Sequence, residues 1–595
     1  MEYIWRDISN SGSITGTGSD TDYGIVLWRN SVIKRDINNS GSIISGGAGI
    51  YLDKSIIERC ISNSGSITGT GGGYGYGICL GNNSIIKGDI NNLGIIFGTT
   101  NAVKNDSRTT TLVNNYGVLA TKGESAISDS DVTSTNYGIY IEDGKVSIDS
   151  TQNLTDPITM GIDENGNEIK RTMTIKNAVI EAGGISTKSF TFTTAGENYD
   201  NSILNGKDKT LIVSGTDNEI NGSVINAYGT AVEFAAAGGD LTLSGTIVNG
   251  EIDNTVTESG NGNTLILQSG TVIYTDNNTG TQNTIINGNI NMGAKNDILT
   301  VRKGTIINGN INMGNNDDNL TIETGSIING TLDGGDGDDT LNFNSPVTRT
   351  SDNDEINILH NISDFENMNI NTNVTLFETT VDSNGNSTGL KVTDAENITL
   401  GAGGVLTLRI DSANKTDNKI VGHALYGNNG VVSSTDGGKL LLALNGAGND
   451  SIISFGGTKL DSSLVTGNEV ASKEDITFDT TSKFHTLEKL NANEVKVAVR
   501  WNIPEILKYE HLNKIYHGIL SVDGLENFNV DNNEKLSLFL GYLNDIYAGN
   551  PYSYSSELSR KSMGMFRDIV TENIFRPETN KWMIYGGLTH IDGGT

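Results

Sequence analysis

Proline is nearly missing from this chain. There are five in 595 residues, and only Pro157 and Pro346 precede residue 500. Each proline removes a ladder donor, so its scarcity leaves long stretches free to build uninterrupted sheet. Cysteine is scarcer still: Cys60 and Cys79 stand alone, with no CxxC and no Cys/His cluster. That argues against zinc and against a disulfide framework. No run of 18 apolar residues exists, so no transmembrane helix is encoded. The start, Met1-Glu2-Tyr3-Ile4-Trp5, lacks the basic and apolar regions of a signal peptide. Basic residues are outnumbered 40 to 71, for a net charge of −31. Such a surface repels nucleic acid and anionic lipid and is mostly a solvated exterior.

What is present is repetition. Ile8-Ser9-Asn10-Ser11-Gly12-Ser13-Ile14 returns as Ile37-Asn38-Asn39-Ser40-Gly41-Ser42-Ile43 and as Ile61-Ser62-Asn63-Ser64-Gly65-Ser66-Ile67. It returns again as Ile90-Asn91-Asn92-Leu93-Gly94-Ile95-Ile96 and, more weakly, as Val113-Asn114-Asn115-Tyr116-Gly117-Val118. Each copy is followed by two more short apolar segments, such as Tyr76-Gly77-Ile78 and Ser84-Ile85-Ile86. Segments this short, rich in Ile, Val, Ser, Thr and Gly, are strands and not helices. Three per repeat predict an all-β fold: a long right-handed parallel β-helix with three-sided coils, in which each coil buries its apolar side on the next. About 500 residues of stacked coils predict a rod on the order of 100 Å long.

The corners follow from residue type. Asn10, Asn39, Asn63, Asn92 and Asn115 fall at one position, where amides hydrogen-bond up a stack as a structural ladder. The glycine two residues on (Gly12, Gly41, Gly65, Gly94, Gly117) suits a corner with positive φ. One corner alone varies in length, through loops 15–23, 44–48 and 68–76. Variable loops on a fixed stack are where solenoids bind partners. Tyr23, Tyr74 and Tyr76 on these loops are the candidate binding edge, tyrosine being a contact residue of low entropic cost; the alternative is that the loops are spacers.

Beyond an irregular insertion at about 150–175, a second repeat form appears as Gly222-Ser223-Val224-Ile225-Asn226, Gly304-Thr305-Ile306-Ile307-Asn308 and Gly325-Ser326-Ile327-Ile328-Asn329. Gly334-Gly335-Asp336-Gly337-Asp338-Asp339 fits a calcium nonapeptide, which makes Asp336, Asp338 and Asp339 the candidate metal ligands. Only that copy is complete; Asp297, Asp318 and Asp339 recur every 21 residues, so the competing reading is a row of exposed corner carboxylates without metal. No cofactor other than calcium is suggested. Catalytic patterns fail: Ser31-Val32-Ile33-Lys34 resembles SxxK, but its equivalent at Ser55 ends in Glu58, and no HExxH or GxSxG occurs. No catalytic residue is assigned.

Past residue 500 the pattern turns helical, with Ile506, Tyr509, Leu512, Ile515 and Tyr516 on one face, Leu536, Phe539, Leu540 and Leu543 on a second, and Leu558 to Ile574 as a third. Lys581-Trp582-Met583-Ile584-Tyr585 then reads as an aromatic-rich strand. This order of parts, with GxGDDTL-like coils and the stretch Asn550-Pro551-Tyr552 to Arg560, resembles the monomeric (type V) autotransporters of Gram-negative outer membranes. The resemblance implies a passenger over 1–345, further coils and a junction over 346–502, a helical linker over 503–578, and the start of a translocator barrel at 579–595. It further implies export and display at the cell surface, with the outer membrane and its barrel-assembly machinery as partners through a barrel missing from this chain. The chain is accordingly expected to be truncated at both ends. The expected function is a non-catalytic adhesin or stalk contacting a host-cell or bacterial surface ligand. The alternatives are a β-helical lyase or glycosidase, or a display scaffold whose binding head lies upstream.

Overall fold

The computed structural model describes residues 3–547, apart from internal stretches of which 149–156, 163–167, 179–188, 193–198, 256–260, 347–354, 382–386, 467–475 and 521–529 are the longest. Up to residue 148 the chain winds in coils. One coil runs Val32–Ile33, Ile37–Asn39, Ser42–Ser45, Ile50–Asp53, and the next Ile56–Ile57, Ile61–Asn63, Ser66–Gly69, Tyr76–Gly81. Each strand pairs in parallel with its equivalent one coil on, as in Ile37↔Ile61↔Ile90↔Val113. The coil therefore has four strands where the sequence predicts three. The Ser-Gly step after each asparagine breaks one expected strand into two. Alternate side chains point inward, and Ile37, Ile43, Ile50, Leu52, Ile61 and Ile67 are fully buried.

The glycines of that step do not hold positive φ, contrary to expectation. Their reason is proximity between coils. A Cβ on Gly65 would lie 2.1 Å from the Gly41 carbonyl oxygen, and one on Gly94 would lie 2.0 Å from that of Gly65. Only hydrogen fits where the turns of successive coils touch.

A second column begins after an antiparallel hairpin, Ile158–Ile162 with Glu168–Arg171. It contains a ten-stranded sheet, parallel throughout, from Asn218–Asn221 to Lys459–Leu460. At about 4.8 Å per strand this sheet extends roughly 45 Å. Its most regular coil, 21 residues long, has three strands: Asn319–Glu323, Ile327–Ile328 and Leu332–Asp336.

The single rod is overturned here, because the second column does not continue the first. It runs back along its side. Asn205, Asn226, Asn249, Asn287, Asn308 and Asn329 donate their amides, in that order, to the backbone oxygens of Tyr137, Tyr116, Leu93, Ser64, Ser40 and Ser11. Rising numbers in one column meet falling numbers in the other, so the columns are antiparallel and docked coil by coil. Between them lies an apolar seam of Leu93, Tyr116, Ile203, Val224, Ile247, Ile285 and Ile306. The doubled apolar residues of the second repeat serve both sides: Val224 enters this seam and Ile225 the column's own core. Arg171 is buried at the turn between columns, where it donates to Asn201 Oδ1 and to the Gly222 carbonyl oxygen.

The second column closes with antiparallel strands His485–Lys489 and Glu494–Val499. Among the described residues three helices follow: α1 (Pro504–Leu507), α2 (Glu510–Leu520) and α3 (Asn533–Tyr547). The first helical face expected from sequence is thus split between α1 and α2. These helices pack on the column end through Ile506, Leu512, Tyr516, Phe539 and Leu543 around Phe484, and Tyr516 Oη donates to the Arg500 carbonyl at 2.7 Å. No closed barrel is present among the described residues. The third predicted helix and the candidate barrel strand lie outside them.

Candidate functional site: an aromatic face beside a cationic corner

One wall of the first column is built from Ile25–Trp28, Ile50–Asp53, Tyr76–Gly81 and Asn101–Asn105, paired in parallel. Its inward residues Leu27, Ile50, Leu52, Ile78, Leu80 and Val103 are core. The alternation therefore turns Val26, Tyr51, Cys79 and Lys104 outward in one row, with Trp28 and Asp53 in the next. Tyr23 stacks on Tyr51, with ring centroids 4.5 Å apart and planes 11° apart. Trp28 lies 6.1 Å from the Tyr51 ring and is 46% exposed. The absent side chain of Gly81 makes room for Tyr51, whose hydroxyl a Cβ there would approach to 3.0 Å.

Of the three tyrosines expected at the binding edge, Tyr23 and Tyr76 join one packed cluster with Tyr51 and Cys79. Tyr76 is buried, and the Lys104 ammonium sits 5.5 Å from its ring centroid. Tyr74 stands apart and is 61% exposed. Burial pushes the Cys79 thiol up to about 12, so it stays a thiol at neutral pH and packs as a small apolar group. Burial likewise raises the Tyr51 phenol to about 12. Sequence reasoning missed Trp28 and Tyr51. Their signal was the period-two alternation in Ile25-Val26-Leu27-Trp28 and Ile50-Tyr51-Leu52-Asp53.

At the end of this wall the chain turns through left-handed residues: Arg29 (φ 54°), Asn30 (69°), Lys54 (50°), Asn82 (28°), Asn83 (55°) and Arg108 (63°). Asparagine visits this region more readily than most residues; arginine and lysine do so here because the coil ladder holds them. Arg29 N–H donates to the Asp53 oxygen at 3.2 Å and Lys54 N–H to the Asn82 oxygen at 3.1 Å. All six side chains are exposed. Asp53 is buried among its neighbours and accepts the Asn82 amide at 2.8 Å. Arg29, Lys54 and Arg108 have no ion-pair partner among the described residues. Charge is also partitioned along the chain. Residues 1–108 hold nine of the 40 Lys/Arg and nine of the 71 Asp/Glu, so the net charge of −31 resides entirely in residues 109–595.

The five ladder asparagines are structural, each Nδ2 donating to the next Oδ1 at 2.8–2.9 Å from Asn10 to Asn115, and from there to Asn136 at 2.7 Å. The candidate calcium residues are not gathered: Asp336 and Asp338 are exposed, whereas Asp339 points into the column. Among the described residues no group of three or more metal-ligating side chains converges. Nor are Asp297, Asp318 and Asp339 exposed corner carboxylates. All three are buried, and Oδ1 of each accepts a backbone N–H from the preceding coil, at 2.5 Å from Asn263 and 2.7 Å from Asp297 and Asp318. Burial pushes them up to about 7, 8 and 6 respectively.

No family model, curated protein or solved structure matches the chain.

Proposed function

We propose that this chain is a non-catalytic binding and display protein of the cell surface, the passenger of a monomeric autotransporter, with the outer face of its first column as contact surface. The observation that carries the reading is the exposed Trp28, Arg29 and Lys54 beside the half-buried Tyr51, on strands and turns tied coil to coil by backbone hydrogen bonds. Large exposed aromatics beside unpaired cations are costly to keep on a surface without a partner and are typical of contact residues. The scaffold reading draws on parallel coils and on the order of coils followed by helices, which match what the family resemblance implies. Right-handed winding, membrane attachment through a barrel, and export belong to this proposal.

The enzyme alternative would rest on a cleft of about 460 Å³ between two projecting hairpins, lined by Glu378, Lys391, Asp411 and His423. Its two candidate acid–base groups, Glu378 and His423, are engaged elsewhere. Glu378 is held by Arg409 at 2.8 Å, and His423 Nε2 lies 3.0 Å from the Leu376 carbonyl oxygen. Burial pushes that imidazole down to about 4, so it is neutral and already hydrogen-bonded at pH 7.

The test has two parts. Protease added to intact cells that express the gene should remove the chain, and full protection would end the surface assignment. Purified chain should adhere to epithelial or bacterial cells. Cutting loop 68–76 to the length of 44–48 and replacing Trp28 by alanine should lower adhesion while the β-sheet circular dichroism persists. Undiminished adhesion would move the contact surface elsewhere.

A further inference from the structure

Resting on that reading of the first column, we propose that its aromatic wall and left-handed corner form a binding stripe for a linear anionic polysaccharide, one carrying carboxylate or sulfate groups at intervals along a pyranose chain.

The stripe has the three chemistries such a polymer needs. Cations come first. Arg29 and Lys54 occupy equivalent places in adjacent coils, and Arg108 takes the place beside Asn83 two coils further on, as the pairing Trp28↔Asp53↔Gly81 and Leu80↔Asn105 requires. From Arg29 to Arg108 is three coil steps, on the order of 14 Å at the strand spacing. Charges set this far apart match a polymer with sparse charge. Amides come next, since Asn30 and Asn83 stand exposed at equivalent places of the same corner, able to donate to and accept from hydroxyl groups, with Asn82 exposed beside them and held by Asp53. Apolar faces complete the set. Trp28 is 46% exposed and Val26 47%, directly beside the corner, and the axial C–H face of a pyranose is the apolar surface that packs flat on an aromatic ring.

Charge also separates this ligand from the other polyanions. A DNA duplex carries one charge per about 1.7 Å and would set most of its phosphates against a chain of net charge −31, with the stripe's Arg29, Lys54 and Arg108 spread over three coil steps to meet them. An anionic membrane is a plane and would bring the acidic second column close to its surface. A single polysaccharide strand lying along the coils of residues 1–108 touches a part of the chain whose basic and acidic residues balance, nine against nine.

The experiment uses the full chain and three immobilised polymers: heparin as the sulfated probe, polygalacturonate as the carboxylate probe, and dextran as the neutral one. The first variant is Arg29→Asn with Lys54→Asn and Arg108→Asn, since asparagine keeps the left-handed backbone and removes the charge. The second is Trp28→Ala. Wild-type chain should bind heparin or polygalacturonate and not dextran, and whichever of the two it prefers identifies sulfate or carboxylate. The triple variant should weaken binding at least tenfold, Trp28→Ala several-fold, and raising salt from 50 to 300 mM should weaken the wild type but hardly affect the triple variant. Circular dichroism and melting of both variants should match the wild type. Undiminished binding by either folded variant overturns the proposal, as does equal binding to dextran or tighter binding to a DNA duplex or to anionic vesicles. Adhesion to cells without binding to either anionic glycan would overturn this ligand assignment while leaving the surface-binding reading intact. Failure to adhere to any cell, with glycan binding present, would do the reverse.

Discussion

Asn287 Nδ2 donates to the Ser64 carbonyl oxygen at 2.9 Å across 223 residues of chain, and in the same place Asn287 also donates to Asn249 Oδ1 at 2.8 Å. One amide thus carries both hydrogen-bond systems of the molecule: the ladder within its column and the seam between columns. The same dual use repeats at Asn205, Asn226, Asn249, Asn308 and Asn329.

The seam makes a proximity prediction. Cys60 and Cys79 are buried, so introduced cysteines dominate labelling. In a Ser11→Cys, Asn329→Cys chain a short bifunctional maleimide should form an intramolecular link, because Asn329 bonds the Ser11 carbonyl. In Ser11→Cys, Asn177→Cys it should not, because Asn177 pairs with Asn205 and so lies six coil steps from Ser11, roughly 29 Å. Peptide mapping reads the result, and equal linking in both chains would contradict the antiparallel docking.

Asn63 tests the ladder itself. Fully buried, it donates to the Gly65, Asn92 and Ile95 oxygens and accepts from Asn39. Asn63→Ala should cost about 2–4 kcal/mol, since it orphans several buried polar groups at once. Asn63→Asp should be worse, because a carboxylate faces carbonyl oxygens where a donor is required. Thermal melting followed by circular dichroism measures both, and unchanged melting for Asn63→Ala would demote the ladder to ornament.

Gly65→Ala probes the contact between turns. With the Gly41 carbonyl oxygen 2.1 Å from the new Cβ, neighbouring coils must separate. A loss of about 1–3 kcal/mol or more is expected, against little effect for Gly72→Ala, where nothing lies within 4 Å of the added carbon.

The buried carboxyls give the molecule an unusual pH response. Burial raises Asp297, Asp318 and Asp339 from 3.8 to about 7, 8 and 6. Between pH 4 and each raised value the folded chain keeps a proton that the unfolded chain has released, so stability falls as pH rises through that window. Above about 8 the cost is complete. Melting temperature should therefore be higher at pH 5 than at pH 8. Asp318→Asn keeps the acceptor for the Asp297 N–H and removes the charge, so it should stabilise the protein at pH 8 by about 1–3 kcal/mol and flatten the profile. Chelator should leave the transition where it is, since Asp336 and Asp338 point away from Asp339. A large drop with chelator would restore calcium to the site.

The coil was legible in the sequence because its causes are local. The Asn-x-Gly step, the two-residue alternation and the near absence of proline each act over a few residues or on the next coil, and together they determine parallel strands and their register. The aromatic face was half legible. Tyr23 and Tyr76 were visible as tyrosines on a variable corner, but only tertiary packing decided that Tyr76 is buried under Lys104 while Trp28 stays open. The course of the chain was decided by tertiary structure alone. Val224-Ile225 or Ile306-Ile307 read as generously apolar strand, and nothing within one coil says that the second residue fills that coil while the first faces another column. Docking couples residues more than 300 positions apart, such as Ser11 and Asn329. It takes place because a column with an apolar outer row must bury that row against something, and the first column supplied the carbonyls and the leucine and tyrosine side chains to meet it.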